Sequence, residues 1–115
     1  MTTFKEIINR LEGIGLPVAH MEFKDTKRKP APDPPFACYL VTERQRGSDQ
    51  RNLIKEFDGS IELYTDRDPD PEQESKIEEY VLFDLEFEKE QVKIDAENMV
   101  MTSYDFTLVQ KGKVK

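Results

Sequence analysis

Apolar residues recur along the chain with two different periods, and the change from one to the other lays out the elements. Phe4, Ile7, Ile8 and Leu11 fall at i, i+3, i+4 and i+7, the spacing of one face of an α-helix. Thr3 followed by Glu6 fits a capping box, in which each side chain satisfies an orphan amide at the helix start. Gly13 or Gly15 supplies the left-handed position that ends such a helix, and Pro17 cannot continue it. The pattern therefore predicts a helix over residues 3–12. Pro17 to Phe23 reads as a short strand, and Phe36 to Thr42, rich in strand formers, as a second. From Leu53 the period drops to two, with Leu53, Phe57, Ile61 and Leu63 opposing Glu56, Asp58, Ser60 and Glu62. Asp58-Gly59 has hairpin-turn chemistry. The alternation keeps its phase across it, which favours one long strand with a bulge or bend at Gly59.

The stretches between these elements are polar. Residues 24–35 (KDTKRKPAPDPP) hold four prolines and a basic KRK, and are expected to form a mobile loop or arm. Residues 43–52 read as a polar turn. Asp70 can cap a second helix, Pro71 suits its first position, and Glu72 and Glu74 complement its positive end. Ile77, Tyr80 and Val81 give that helix its stripe, and it is expected to end near Phe83. Leu85–Lys89 alternates as a strand, and Ile94 is the residue of the following segment expected to turn inward. Met99–Lys111 alternates at greater length, with Val100, Tyr104, Phe106 and Leu108 on one side, and residues 111–115 read as a flexible tail. The order α-β-β-β-α-β-β predicts a single α+β domain over residues 1–115, two helices packed on one face of a mainly antiparallel sheet.

Composition bounds what this domain can be. Of the 115 residues, 29 are Leu, Ile, Val or Phe, a quarter of the chain and above the roughly 20% below which disorder is expected. Charged residues reach 36%, so the core is modest. No apolar run approaches the ~18 residues of a membrane span, and MTTFKEIINR lacks the apolar centre of a signal peptide. A location away from membranes is the expectation.

Candidate chemistry is sparse. One cysteine, Cys38, and one histidine, His20, exclude an internal disulfide framework and a four-ligand zinc site. As a nucleophile–base pair they would need adjacent strands; Cys38 reads more simply as a buried strand residue and His20 as a rim residue. The five glycines form no phosphate-binding loop. Asp66, Asp68, Asp70 and Glu72 resemble a calcium loop only superficially. The sixth position from Asp66 is Pro71, where glycine is required, and the twelfth is Ile77, where glutamate is required. No catalytic residue, cofactor or metal site is expected, and no enzymatic activity.

The charge is unevenly placed. Residues 1–55 carry 10 basic and 7 acidic groups, hence +3, and residues 56–115 carry 7 basic and 17 acidic groups, hence −10. An acidic chain is poorly suited to wrapping nucleic acid, but two unlike halves let copies attract head to tail. The basic candidates for a subunit or partner interface are Lys27, Arg28 and Lys29 of the arm and Arg44, Arg46 and Arg51 of the polar turn. The acidic candidates are Glu72, Glu74, Glu78 and Glu79 of the second helix. The arm also holds a PxxP spacing, Pro32 to Pro35, of the kind that docks in aromatic grooves. Seventeen carboxylates after residue 55 leave an alternative open, an acidic inhibitor that mimics DNA.

Residues 16–104 carry a further pattern: LPVAHMEF, PPFACYLV, GSIELYTDRDPDPEQESKIEEYV and KIDAENMVMTSYDF. Its most specific pieces are Ile61-Glu62-Leu63-Tyr64-Thr65, Pro35-Phe36-x-x-Tyr39 and Glu97-x-Met99-x-x-Thr102-x-Tyr104. In this order they resemble the tail-completion, or head–tail joining, proteins of long-tailed phages and prophages. The resemblance implies a non-enzymatic virion protein, similar to tail terminators, that closes into a ring, hexameric in such proteins, at the head–tail junction. It would cap the tail tube and meet the head-completion connector, after assembly in the host cytoplasm. DNA would be only passing cargo, sliding past an acidic lumen that repels its phosphates. The long proline-rich arm and the Asp58-Gly59 pair depart from the family's pattern.

Overall fold

The computed structural model describes residues 2–22, 32–49 and 52–113, with side chains over 2–22, 32–45 and 54–110. In chain order the elements are α1 (Phe4–Glu12), β1 (Val18–His20), β2 (Phe36–Asp49), β3 (Asn52–Asp66) and α2 (Pro71–Lys76), which runs into a π-helical turn (Ile77–Val81). β4 (Glu88–Ile94), a 3₁₀ turn (Asp95–Glu97) and β5 (Met99–Lys113) follow. The strands form one five-stranded sheet in the order β1-β2-β3-β5-β4. All pairs are antiparallel except β1 with β2. The expected class, an α+β domain of two helices and a mostly antiparallel sheet, is what the chain forms.

α1 starts where the capping residues place it: the Thr3 hydroxyl accepts the Glu6 amide at 3.2 Å. Gly15, at φ 91°, takes the left-handed position after it, while Gly13 stays right-handed. At the second helix, the Asp70 carboxylate accepts the Gln73 amide at 3.3 Å. The apolar residues of α1 and of the π turn join one core with the sheet. Phe4, Ile7 and Leu11 share a core with Ile61 and Leu63 of β3 and with Tyr104, Phe106 and Leu108 of β5. Ile77, Val81 and Leu82 close it.

Several expectations are corrected. The π turn alters the phase of the second helix: the Leu82 amide donates to the Ile77 carbonyl, five residues back, at 2.9 Å. The wider turn buries Val81 and Leu82 and leaves Tyr80 63% exposed. Residues 43–49 are strand, not turn, because β3 offers them charge-matched partners, Arg44 opposite Glu56 and Glu43 beside Lys55. β3 passes Gly59 as the one long strand expected, but without a bulge there: Val41 and Phe106 are its register partners, and the register shift lies in β2, between Gln45 and Ser48. Finally, β4 begins at Glu88, so Leu85 and Phe87 pack against the core from a connecting segment. β5 continues to Lys113 through residues expected as tail. The proline-rich stretch expected to be mobile, and with it Lys27, Arg28 and Lys29, lies outside the described residues up to residue 31, as does Arg51.

Candidate functional site

Side chains alternate across the sheet, so register sorts them into two faces. The covered face carries Ala37, Tyr39, Ile61, Leu63, Tyr104 and Phe106. No helix packs on the other face among the described residues. Its charge is one-sided: Glu56, Asp58, Glu62, Glu88, Glu90 and Asp105 lie there, and Arg44 is the cation among its described side chains. The Arg44 guanidinium donates to Asp58 at 2.7 Å and to Glu56 at 3.3 Å. The Thr107 hydroxyl donates to Asp58 at 3.0 Å.

A groove of about 660 Å³ crosses this open face from β2 to β4. Leu40 and Thr42 line it on one side, Ser60 forms part of its floor, and Glu86, Glu88 and Asp105 line the other side. Glu88 and Asp105 are direct register partners, and like charges so placed repel. Among the described residues neither they nor Glu86 has an ion-pair partner. Sequence reasoning passed over this trio, since the pairing of residues 88 and 105 exists only in the folded register.

Past Tyr39 and Asp105 the sheet narrows to a three-stranded limb, whose base still belongs to the core through Val41, Phe57, Phe106 and Leu108. β1 pairs with β2 only as far as Tyr39, and β4 with β5 only between Met99 and Asp105. From there β2, β3 and β5 run on together to Asp49, Asn52 and Lys113. Both outer edges of this three-stranded limb lack a strand partner among the described residues. Arg46, Lys111 and Lys113 occupy limb positions.

The acidic residues expected at an interface divide in two. Glu72 and Glu79 are exposed on the second helix. Glu74 and Glu78 are already engaged. Lys89 Nζ reaches Glu74 at 2.6 Å and Glu78 at 2.9 Å, and the Tyr104 hydroxyl donates to Glu78 at 2.9 Å. Partial burial opposes the Lys89 charge, but the bonds to Glu74 and Glu78 outweigh it, so its pKa is raised. Burial, then the Glu78 bond, raises the pKa of Tyr104. The network ties the second helix to β4 and β5.

A second staple joins α1 to the segment after the π turn. Arg10 donates to Asp84 at 2.9 Å and to the Val81 carbonyl at 3.1 Å, with its guanidinium 4.4 Å from the Phe83 ring centre. The Arg10 bond, aided by one from Thr2, holds the Asp84 carboxyl below the usual range.

The sequence's other candidates resolve simply. Cys38 is buried opposite Ala19, whereas His20 stacks on Tyr39, 5.0 Å between ring centres. Adjacent positions point to opposite faces, so thiol and imidazole lie on different sides of the sheet. Among the described residues no cluster of acidic, histidine or cysteine side chains is arranged to hold a metal ion. No helix there is long and apolar enough to cross a membrane. The chain matches no protein-family model and no curated protein.

Proposed function

We propose that the protein is a structural component of the head–tail junction of a long-tailed phage, where it caps the tail tube and meets the head connector as a ring. The observation that carries this reading is the convergence of the three resembling segments. Ile61 to Thr65 lie on β3, flanked by Phe36 and Tyr39 on β2 and by Met99, Thr102 and Tyr104 on β5. Phe36 stacks on Tyr64 at 5.0 Å, and Tyr39, Ile61 and Tyr104 form one line across the sheet. Segments that resemble the family only weakly one by one thus make up a single unit of fold. The element order and the packing of both helices on one face belong to the same reading.

A ring needs heterologous contacts that close. The open face, with its one-sided acidic charge, offers one such surface. Electron microscopy of the purified chain mixed with tail tubes tests the reading. Added density at one tube end supports it; decoration along the tube, or none, overturns it.

The acidic open face also favours a second reading, an inhibitor that presents carboxylates as DNA presents phosphates. Binding to a nuclease or DNA-binding protein that DNA competes away would select it over the first.

A further inference from the structure

We infer that a small cavity between β4 and the loop after β3 captures the carboxyl-terminal residue of a partner chain, one with a short aliphatic side chain. The inference stands apart from the tail reading and does not rest on it.

The cavity measures about 260 Å³. Pockets that enclose whole drug-sized ligands run to roughly 300–1,000 Å³, so this one has room for a single residue. Pro69, Val92 and Val100 give it an apolar lining that suits an aliphatic side chain.

Arg67, Asp68 and Lys93 line the same cavity. Among the described residues none of the three has an ion-pair partner, and they are not paired with one another. Two cations and one anion held apart suit a ligand that brings a carboxylate to the first two and an N–H to the third. A terminal peptide residue has both groups. Its carboxylate takes charge-assisted hydrogen bonds from Arg67 and Lys93, and its amide N–H donates to the Asp68 carboxylate. Gln91, also in the lining, donates to the Thr102 hydroxyl at 3.1 Å. That bond commits its nitrogen and leaves its oxygen as a second acceptor.

The fold itself does not ask for arginine at position 67. Its φ is 64°, in the left-handed region that favours glycine. Two bonds hold the loop there: the Arg67 amide donates to the Asn98 carbonyl at 3.0 Å, and the buried Thr65 hydroxyl donates to the Asp68 carbonyl at 2.8 Å. The guanidinium makes no ion pair among the described residues that would offset the strain. A strained backbone that presents an unused cation at a cavity is the arrangement of a pre-positioned binding group.

One wall explains why a chain end fits better than a free acid. β4 is the last strand of the sheet, with no strand beyond it among the described residues. Its outward backbone groups are open to pairing, so the residues before the captured terminus can leave along that edge.

Titration of the ¹⁵N-labelled chain with acetyl-Ala-Ala-Val, its carboxylate free, tests this by nuclear magnetic resonance. We expect the amide signals of Arg67, Asp68, Val92, Lys93 and Val100 to move. The carboxamide of the same peptide should bind about tenfold more weakly, because the charged acceptor is gone. Arg67→Gly and Lys93→Met should each weaken binding of the free acid about tenfold for the same reason. Glycine suits the left-handed backbone, so the urea midpoint of Arg67→Gly should not fall, and its lost binding then reports the guanidinium alone. Free valine, which has no chain to lay along β4, should bind more weakly than the peptide. Signals that stay still, or undiminished binding by the carboxamide, by either variant or by free valine, overturn the inference.

Discussion

At Gly59 the missing side chain is what the core requires. A Cβ there would lie 2.7 Å from two atoms of the Phe106 ring and 2.9 Å from the Phe4 ring. Phe4 is wedged between Phe57 and Phe106, 6.2 and 6.1 Å between ring centres, so neither ring has free space to yield. Gly59→Ala is therefore expected to destabilise by about 1–3 kcal/mol, the usual range for overpacking, in urea unfolding. Tyr104 supplies a second test at this scale. Its ring is fully buried and its hydroxyl is bonded to Glu78. Tyr104→Phe keeps the ring and should cost about 1.5–3 kcal/mol, as for a hydrogen bond to a charged group. A loss below half that range would mean that Lys89 alone satisfies Glu78.

Helix periodicity was legible in α1, because the Thr3 cap and the Phe4, Ile7 and Leu11 stripe obey local rules. It misled in the second helix, where one π turn moves Tyr80 out and Leu82 in. Ile77→Ala should cost roughly 2–5 kcal/mol, whereas Tyr80→Ala should stay within about 0.5 kcal/mol, as for a surface change. Equal losses in urea melts would restore the regular helical phase. The staple between Arg10 and Asp84 predicts a pH dependence. The Asp84 pKa is lower in the folded chain than its ordinary value of about 3.9. Its contribution is fully present above that value and is lost as pH falls through the lower, folded pKa. The stability gap between parent and Asp84→Asn should be constant near neutrality and shrink below about pH 4. A gap that widens there would reverse the sign and remove the staple. The same division explains the strands. Alternation in β3 and β5 announced their covered face, while the limb in β2 and the start of β4 depend on partners distant in sequence. Residues 43–49 carry turn-forming composition, and only the antiparallel match with β3 makes them strand. The groove was illegible for that reason, since its facing carboxylates come from β4 and β5.

For the whole molecule, extended over 51 × 32 × 24 Å, the balance of surface types sets how copies meet. Charged residues make up 36% of the chain. Among the described residues the large exposed apolar side chains, Met21, Tyr80, Phe83, Val92 and Val109, are spread over loop, helix end and strands. Obligate interfaces are larger and more hydrophobic than such a surface allows. Contacts through the acidic open face would instead be polar and weakened by salt. A subunit that caps a finished tube benefits from this weakness, because rings closed in advance would seal short tubes. On the proposed tail role, the tube end would hold several copies side by side, raise their local concentration and complete a contact too weak for free solution. Light scattering should therefore give one subunit mass at micromolar concentration and moderate salt, with the mean mass rising as salt is removed. Reversing Glu86 and Glu88 to lysine should abolish that rise without changing the urea midpoint by more than a surface mutation does. A dimer that persists at high salt would point to an apolar interface, and assembly driven by the tube end would then have to be abandoned.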